Sequence, residues 1–408
     1  MKLKDITLSI FDGKHGDCKD KEGSGVYFIS VKDLREYEID YSKARQIDEV
    51  EFEQNYKRTN LEVGDTIYAN TGDTIGKSLY VVDNPLVAKT SFQKSVAVVK
   101  PNKSFVEPKY LYYLLKFETP RLRKAATGSG QKNLLLSSMR EFEISIHDRE
   151  IQKQIATVLG TIDDKIRVNC KINDNLEQQA KLIYDYWFTQ FDFPDENGKP
   201  YCSSGGKMVW NEQLKRNIPE NWNVVPLLKL VSWESNSQPP KSKFVYEPKE
   251  GYVRFIQNRD YDSDTHITYI PRTKNLSIVD RFDILMDKYG DAGAVRYGIE
   301  GAFNVALGKI CVHNPNYREY IRSFLGSDGI YKFLHNSCMA STRASLSEAN
   351  LAILNVVVPD EKIILDYENF LHKIRVSILK NKDETVELIN LRDWLLPMLM
   401  NGQAIIED

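Results

Sequence analysis

From about Asp5 to Ile146 the apolar residues fall in short runs broken by polar turns. GVYFISV, GDTIYAN, SLYVV, SVAVVK and EFEISI are rich in Val, Ile, Tyr and Phe, with Gly-Asp and Asn-Pro between them, and they predict β-strands. The stretch Pro108–Lys124 opens with proline at an early position and predicts a helix, and Leu134–Met139 starts a short second one. The period then changes. Between Arg149 and about Gln190, the residues Ile155, Val158, Ile162, Asn169, Ile172, Leu176 and Ile183 recur at steps of three and four. That is a heptad seam, and it predicts one helix roughly 60 Å long. A second such seam from Lys362 to about Met400 carries Phe370, Ile374, Asn381, Leu388, Leu391 and Leu395.

The chain repeats itself. GSGQKNLLLSSMREFEISIHD from Gly128 aligns without a gap on ASTRASLSEANLAILNVVVPD from Ala340, 212 residues later. The match runs on through the helical stretches, where Leu159 meets Leu371, Ile162 meets Ile374, Ile166 meets Ile378, Asn169 meets Asn381 and Leu176 meets Leu388. Upstream it needs insertions: VYFISVKDL from Val26 resembles VRFIQNRDY from Val253, and TGDTIGKSLYV from Thr71 resembles YGDAGAVRYGI from Tyr289. Each half thus has a divergent β-rich front and a better-matched helical back.

This divides the chain into a first α+β domain (1–148), a helix (149–190), a Pro- and Gly-rich connector (191–221), a second α+β domain (222–359) and a second helix (360–402). The two helices are expected to pair as an antiparallel coiled coil through Ile155, Ile162, Asn169, Leu176, Phe370, Ile374, Asn381 and Leu388, with Asn169 and Asn381 close together to set register. The alternative is two amphipathic helices, each packed on its own domain.

Composition narrows the function classes. A 42% hydrophobic fraction is that of a globular protein, and a formal charge of -2 argues against a uniformly basic nucleic-acid binder. Basic residues gathered on one face remain possible. Five scattered cysteines form no C-x-x-C pair, the N-terminus lacks a signal-peptide core, and no apolar run is long enough for a membrane helix; a reducing cytoplasmic location is expected.

No catalytic constellation emerges. Phosphate-loop, dinucleotide, metalloprotease and nucleophile-elbow motifs are missing. Pro239-Pro240 follows Gln238 and precedes Lys241, so it does not make the loop with which DNA adenine methyltransferases grip a flipped base. Glu247-Pro248-Lys249 imitates a nuclease Glu-x-Lys, but proline disfavours the central strand that site needs. The polar loops instead suit a polyanion, with lysine for charge, glycine for close approach, and Gln or Ser for base edges. In the first domain the candidates are Lys14, His15, Lys19, Thr71, Thr74, Lys77, Lys89, Gln93, Lys94, Ser129, Gln131 and Lys132. In the second they are Lys241, Lys243, Gln257, Asn258, Arg259, Lys288, Tyr289, Arg296 and Arg343. Lys77 and Arg296 fall in equivalent loops, as do Gln131 and Arg343.

Two divergent domains, each followed by a heptad helix, resemble the specificity subunit of Type I restriction-modification enzymes. The marks are GSGQKNLLLSSMREFEISI, REIQKQIATVLGTIDDKI, IPENWNVVPLLKLV and LRDWLLPMLMNGQ, in this order and spanning essentially the whole chain. The resemblance implies a non-catalytic subunit whose two target-recognition domains each read half of a bipartite double-stranded DNA target. The helices would act as a ruler that docks two modification subunits. It implies no cofactor on this chain, S-adenosylmethionine and ATP being carried by the modification and restriction subunits. The second turn, ASTRASLS, departs from the family's Gly-Ser/Gln-Lys-Asn-Leu form, which weakens the transfer of a contact to Arg343. Three other readings stay open: an enzyme in its own right, a protein-binding scaffold without a DNA role, and a detached specificity protein serving a combined enzyme of another type.

Overall fold

The computed structural model describes residues 1–128, 132–261, 266–339 and 345–404. They form two compact units, Met1–Cys170 with Asp383–Asp408, and Lys171–Lys382.

The first unit contains β1 (Thr7–Asp12), β2 (Tyr27–Ile29), β3 (Arg45–Gln46), α1 (Glu49–Thr59), β4 (Thr66–Ala69), β5 (Ser78–Tyr80), β6 (Thr90–Phe92), β7 (Val96–Pro101), α2 (Pro108–Ala125), α3 (Leu136–Arg140) and the start of α4 (Arg149–Tyr184). The second has β8 (Met208–Asn211), β9 (Arg216–Pro219), β10 (Asn223–Pro226), β11 (Val231–Glu234), β12 (Tyr252–Ile256), β13 (Tyr269–Pro271), β14 (Ile278–Val279), β15 (Ile284–Asp287), β16 (Val295–Arg296), β17 (Gly301–Phe303) and β18 (Leu307–Val312). After these come α5 (Arg318–Gly326), α6 (Asp328–Met339), α7 (Glu348–Ala352), β19 (Asn355–Val358) and α8 (Glu361–Met400), whose last residues return to the first unit.

In the first unit an antiparallel sheet runs β1-β7-β4-β5 and a smaller one runs β3-β2-β6. Strand β4 shows how the layers arise. All four of its residues are buried, and a period of two sends Tyr68 toward α2 while Ile67 and Ala69 meet Ile29 and Phe92 behind the sheet. A continuous apolar run is what a strand covered on both faces requires. The second unit repeats this plan, with β11-β18-β15-β16 and β13-β12-β17-β14. There Ile284 and Met286 face the large core while Leu285 packs with Ile256 and Phe303. Even the strand directions recur, since β2–β6 and β12–β17 are the parallel pairs.

The predicted strand at EFEISI does not form. Opposite it the chain makes one bridge, Lys2 to Glu143, and then turns into a 3-10 segment at Leu3–Asp5, which ends the ladder. The equivalent residues Asn355–Val358 do form a strand, because Asn223–Pro226 runs alongside for four residues. The connector also holds more order than its composition suggests. Its Met208–Asn211 and Arg216–Pro219 make a hairpin, and Phe193 stacks on Trp222 at 4.7 Å.

Each unit contains its own length of antiparallel helix pair. In the first, Asp163 meets Arg392 at 3.0 Å and Asn169 donates to Glu384 at 2.8 Å. In the second, Asn381 donates to Asn173 at 3.0 Å and Arg375 is ion-paired to Glu177. The asparagines therefore take Glu384 and Asn173 as partners, and the expectation that they meet each other is corrected: one-turn offsets bring other polar residues opposite each. Ile155, Ile162 and Ile374 are buried on the seam, while Leu176 and Leu388 are half-buried. Phe370 is 48% exposed, as are Leu391 and Ile172 to similar extents, because the buried row is Tyr367, Leu371, Ile374 and Ile378. Phe370 sits one residue, about 100° of helix, off that row.

Candidate nucleic-acid interface

At one end of the first unit's sheet, four loops are tied together by main-chain hydrogen bonds. Gln93 N–H donates to Ile29 at 2.9 Å, Asn70 N–H to Ser95 at 3.1 Å, Leu134 N–H to Asn70 at 2.8 Å and Gly72 N–H to Lys132 at 2.7 Å. The β1 loop joins them, as Lys14 N–H donates to the Phe92 carbonyl at 2.9 Å and the Lys14 carbonyl accepts from Lys94 N–H at 3.1 Å. Glycine is needed at two points here. A Cβ on Gly13 would lie 1.9 Å from the Phe92 carbonyl oxygen, and Gly72 holds φ +66, a left-handed turn.

These loops enclose an open cleft of about 510 Å3, lined by Lys14, Gly16, Asp17, Thr71, Gln93, Lys94, Ser95 and Asn133. Of the candidates, Lys14, Thr71, Gln93 and Lys94 are thus brought together, with Lys132 at the edge. Their charges differ in availability. Lys14 is tied to Glu51 at 3.0 Å, a bond that raises its pKa. Lys94 and Lys132 are exposed and make no ion pair among the described residues. Asp17 on the rim is held ionised by Arg45 at 2.7 Å, which lowers its pKa.

Other candidates lie elsewhere or have structural partners. His15 turns back to Asp12 at 3.1 Å, and Thr74 Oγ1 donates to the Thr71 carbonyl at 2.8 Å. Lys19 and Lys89 are exposed; Lys77 is exposed too, although partial burial lowers its pKa, with Arg35 adding to this. Ser129, Gln131 and Arg343 lie outside the described residues.

The second unit rebuilds the frame from different side chains. Leu346 N–H donates to Lys288 at 3.0 Å, Lys288 N–H to Ala306 at 2.8 Å and Asn304 N–H to Ile256 at 2.9 Å, matching Leu134–Asn70, Asn70–Ser95 and Gln93–Ile29 in turn. Gly290, at φ +74, repeats Gly72. Position by position, Asn70, Thr71 and Lys94 become Lys288, Tyr289 and Val305. Lys288 Nζ donates to Ser235 Oγ at 2.9 Å over the Trp233 ring, and burial lowers its pKa; Tyr289 projects outward.

The remaining second-unit candidates are spread more widely. Lys241 and Lys243 are exposed on a 3-10 turn, and Arg259 is exposed beside Asp260. Gln257 Nε2 donates to Thr268 at 3.1 Å, and the Asn258 side chain bonds Asp287. Arg296 already has acidic partners. Its hairpin matches that of Lys77, but it sits on β16 paired opposite Leu285, and its guanidinium meets Asp287 at 2.8 Å and Asp291 at 3.6 Å. A selection made by charge overlooked Asn70, Ser95, Asn133, Trp233 and Ser235, although Asn133 directly follows Lys132 in a loop already singled out.

Among the described residues no cluster of three or more His, Cys, Asp or Glu could hold a metal ion, and no helix is long and apolar enough to cross a membrane.

Comparison with known proteins gives a consistent result. The family model of the Type I restriction modification DNA specificity domain matches residues 1–178. The chain is 26% identical to the Type I restriction enzyme MjaIX specificity subunit of Methanocaldococcus jannaschii, covering 100% of this chain and 93% of that one. It is 24% identical to the HindI specificity subunit of Haemophilus influenzae, over 84% and 87% of the two chains. In fold it is similar to the crystal structure of the Type I restriction-modification S subunit from M. genitalium, with a TM-score of 0.58 at 15% identity, covering 98% and 95%. A duplicated domain plan with long helices, a domain model that matches the first 178 residues and relatives of similar length all point the same way: the chain is similar to the specificity subunits of Type I restriction-modification systems.

Proposed function

We propose that each globular part, residues 1–148 and 222–359, reads one half of a bipartite double-stranded DNA target, and that the paired helices set the unread spacer and dock two modification subunits. The observation that carries this reading is the pair of loop frames, which share their main-chain hydrogen bonds while presenting Asn70, Thr71 and Lys94 in one and Lys288, Tyr289 and Val305 in the other. A conserved cradle with exchanged side chains is suited to the same docking on two different base sequences. Exposed lysines would supply sequence-independent attraction to phosphate, and the amide, hydroxyl and phenol groups at the cleft would discriminate base edges.

In this reading the chain performs no chemistry. S-adenosylmethionine is held by the modification subunits and ATP by restriction subunits, and the complex acts on chromosomal DNA in the cytoplasm. The test is a genome-wide map of methylated adenines in cells carrying this chain with its modification subunit. A split motif with a constant unread gap is expected. A single uninterrupted motif, or methylation unaffected by deleting this chain, would reject the proposal.

A further inference from the structure

The apolar seam alone does not distinguish the two long helices. Under the 212-residue repeat Leu159 matches Leu371, Ile162 matches Ile374 and Ile166 matches Ile378, so α4 could cover a second α4 almost as well as it covers α8. The charges break this equivalence. The same repeat puts Asp163 of α4 at the position of Arg375 of α8. In the first unit Asp163 is 3% exposed and lies 3.0 Å from Arg392. In the second, Arg375 is 5% exposed and is ion-paired to Glu177 and, at 3.0 Å, to Glu319. Both arginines buried between the helices therefore stand on α8 and their interhelical acids on α4; the one pair of reverse polarity, Lys165 to Glu384 at 3.4 Å, is exposed on both sides.

We propose that this partition of charge selects the helix partner, so that the face of α4 accepts the α8 half of the repeat and rejects a second copy of itself. If another α4 took the place of α8, Asp163 would fill the position of Arg375 and confront Glu177. If another α8 took the place of α4, Arg375 would fill the position of Asp163 and confront Arg392. A twofold axis presents each such mismatch twice. Like charges brought together out of water are strongly unfavourable, and discrimination by a repulsive contact needs no improvement in the correct pair. Asn169 adds to this, because its partner Glu384 matches Ile172 under the repeat, so a second α4 would leave its amide without that acceptor.

The experiment begins with the folded full-length chain, carrying a protease site in the exposed turn at 196–198. After cleavage, the protein is mixed with an isotopically heavy batch and held in mild denaturant until heavy and light pieces have exchanged. Native mass spectrometry then counts the pairs. In the wild type, pairs of two N-terminal pieces are expected to be at least about tenfold rarer than mixed pairs. Glu177→Arg gives Asp163 of a second α4 an opposite charge and sets two cations together in the native pair, so N-terminal homodimers should rise by about tenfold or more. Glu177→Gln, which keeps the side-chain shape, should fall between the two. Wild-type N-terminal pieces that pair with one another as readily as with C-terminal pieces would overturn the proposal. So would Glu177→Arg and Glu177→Gln variants that both keep the wild-type distribution.

Discussion

The backbone N–H of Leu134 donates to the carbonyl of Asn70 at 2.8 Å, closing the loop after α2 onto the hairpin that follows β4. Leu346 and Lys288 make the same bond at 3.0 Å in the second unit. Because the bond uses main-chain atoms, it places no demand on the side chain at position 70 or 288. That side chain is free to be an amide in one unit and an ammonium in the other, while the loop keeps its place.

Lys288→Ala should therefore alter recognition in one half of the target only. Methylation by the assembled complex is expected to keep its first half-site and to tolerate base changes in the second. A change in both half-sites would show that Lys288 acts on the scaffold and not on reading.

Lys94→Ala removes an exposed cation from the first cleft without breaking an ion pair. Affinity for DNA should fall similarly on all sequences, and the slope of log affinity against log salt should drop by about one. Titrations at several salt concentrations check this, and an unchanged slope would remove Lys94 from the phosphate contacts.

Asp163→Asn removes the buried carboxylate beside Arg392 and leaves it with the more exposed Glu36 at 3.2 Å and Asp393 at 2.8 Å, while Tyr113, whose hydroxyl donates to Asp163 at 2.6 Å, keeps an acceptor. A loss of about 2 kcal/mol in unfolding free energy is expected, the size of one charge-assisted hydrogen bond. Denaturant melts of the wild type and variant measure it.

The Asn169 side-chain carbonyl is buried with no hydrogen-bond partner among the described residues. Replacing Asn169 and Asn381 together by leucine should stabilise the chain by about 1 kcal/mol while loosening helix register. Hydrogen exchange should then show weaker protection on α4 despite the higher melting point; protection that rises along with stability would contradict the register role.

Burial pushes the Glu368 carboxyl up from 4.5 to about 7, although the Glu319 N–H donates to it at 2.8 Å. The folded protein thus retains a proton that the unfolded chain releases near pH 4.5. This contribution to stability is full below about 4.5 and is lost as pH rises through about 7. Glu368→Gln should flatten that slope and melt higher than the wild type at pH 8, as thermal scans between pH 5 and 8 would show.

Much of the architecture was determined by the sequence alone, because it rests on periodicity. Steps of three and four place the start of α4 and both ends of α8 within a residue or two of the expected bounds, α4 itself stopping at Tyr184 and a π-helical turn, Asp185–Thr189, carrying the chain on to Gln190. Apolar runs at Thr66–Ala69 and Val96–Pro101 mark strands buried on both faces. The repeat foretold that each half has a β-rich front and a helical back. The clefts were legible in part, as Lys14, Thr71, Gln93 and Lys94 advertise themselves by charge or polarity in loops.

Only the tertiary structure decided the rest, because it depends on which groups meet across long stretches of chain. It gives Lys14 to Glu51 and Arg296 to Asp287, cations that look alike on paper but are already occupied. It makes a strand of Asn355–Val358 and leaves EFEISI without one, since a strand exists only where a partner backbone runs beside it. It also sets Asn169 against Glu384 and Asn381 against Asn173, because a seam fixes which face of a helix is buried, while the stagger that chooses each partner is set by packing.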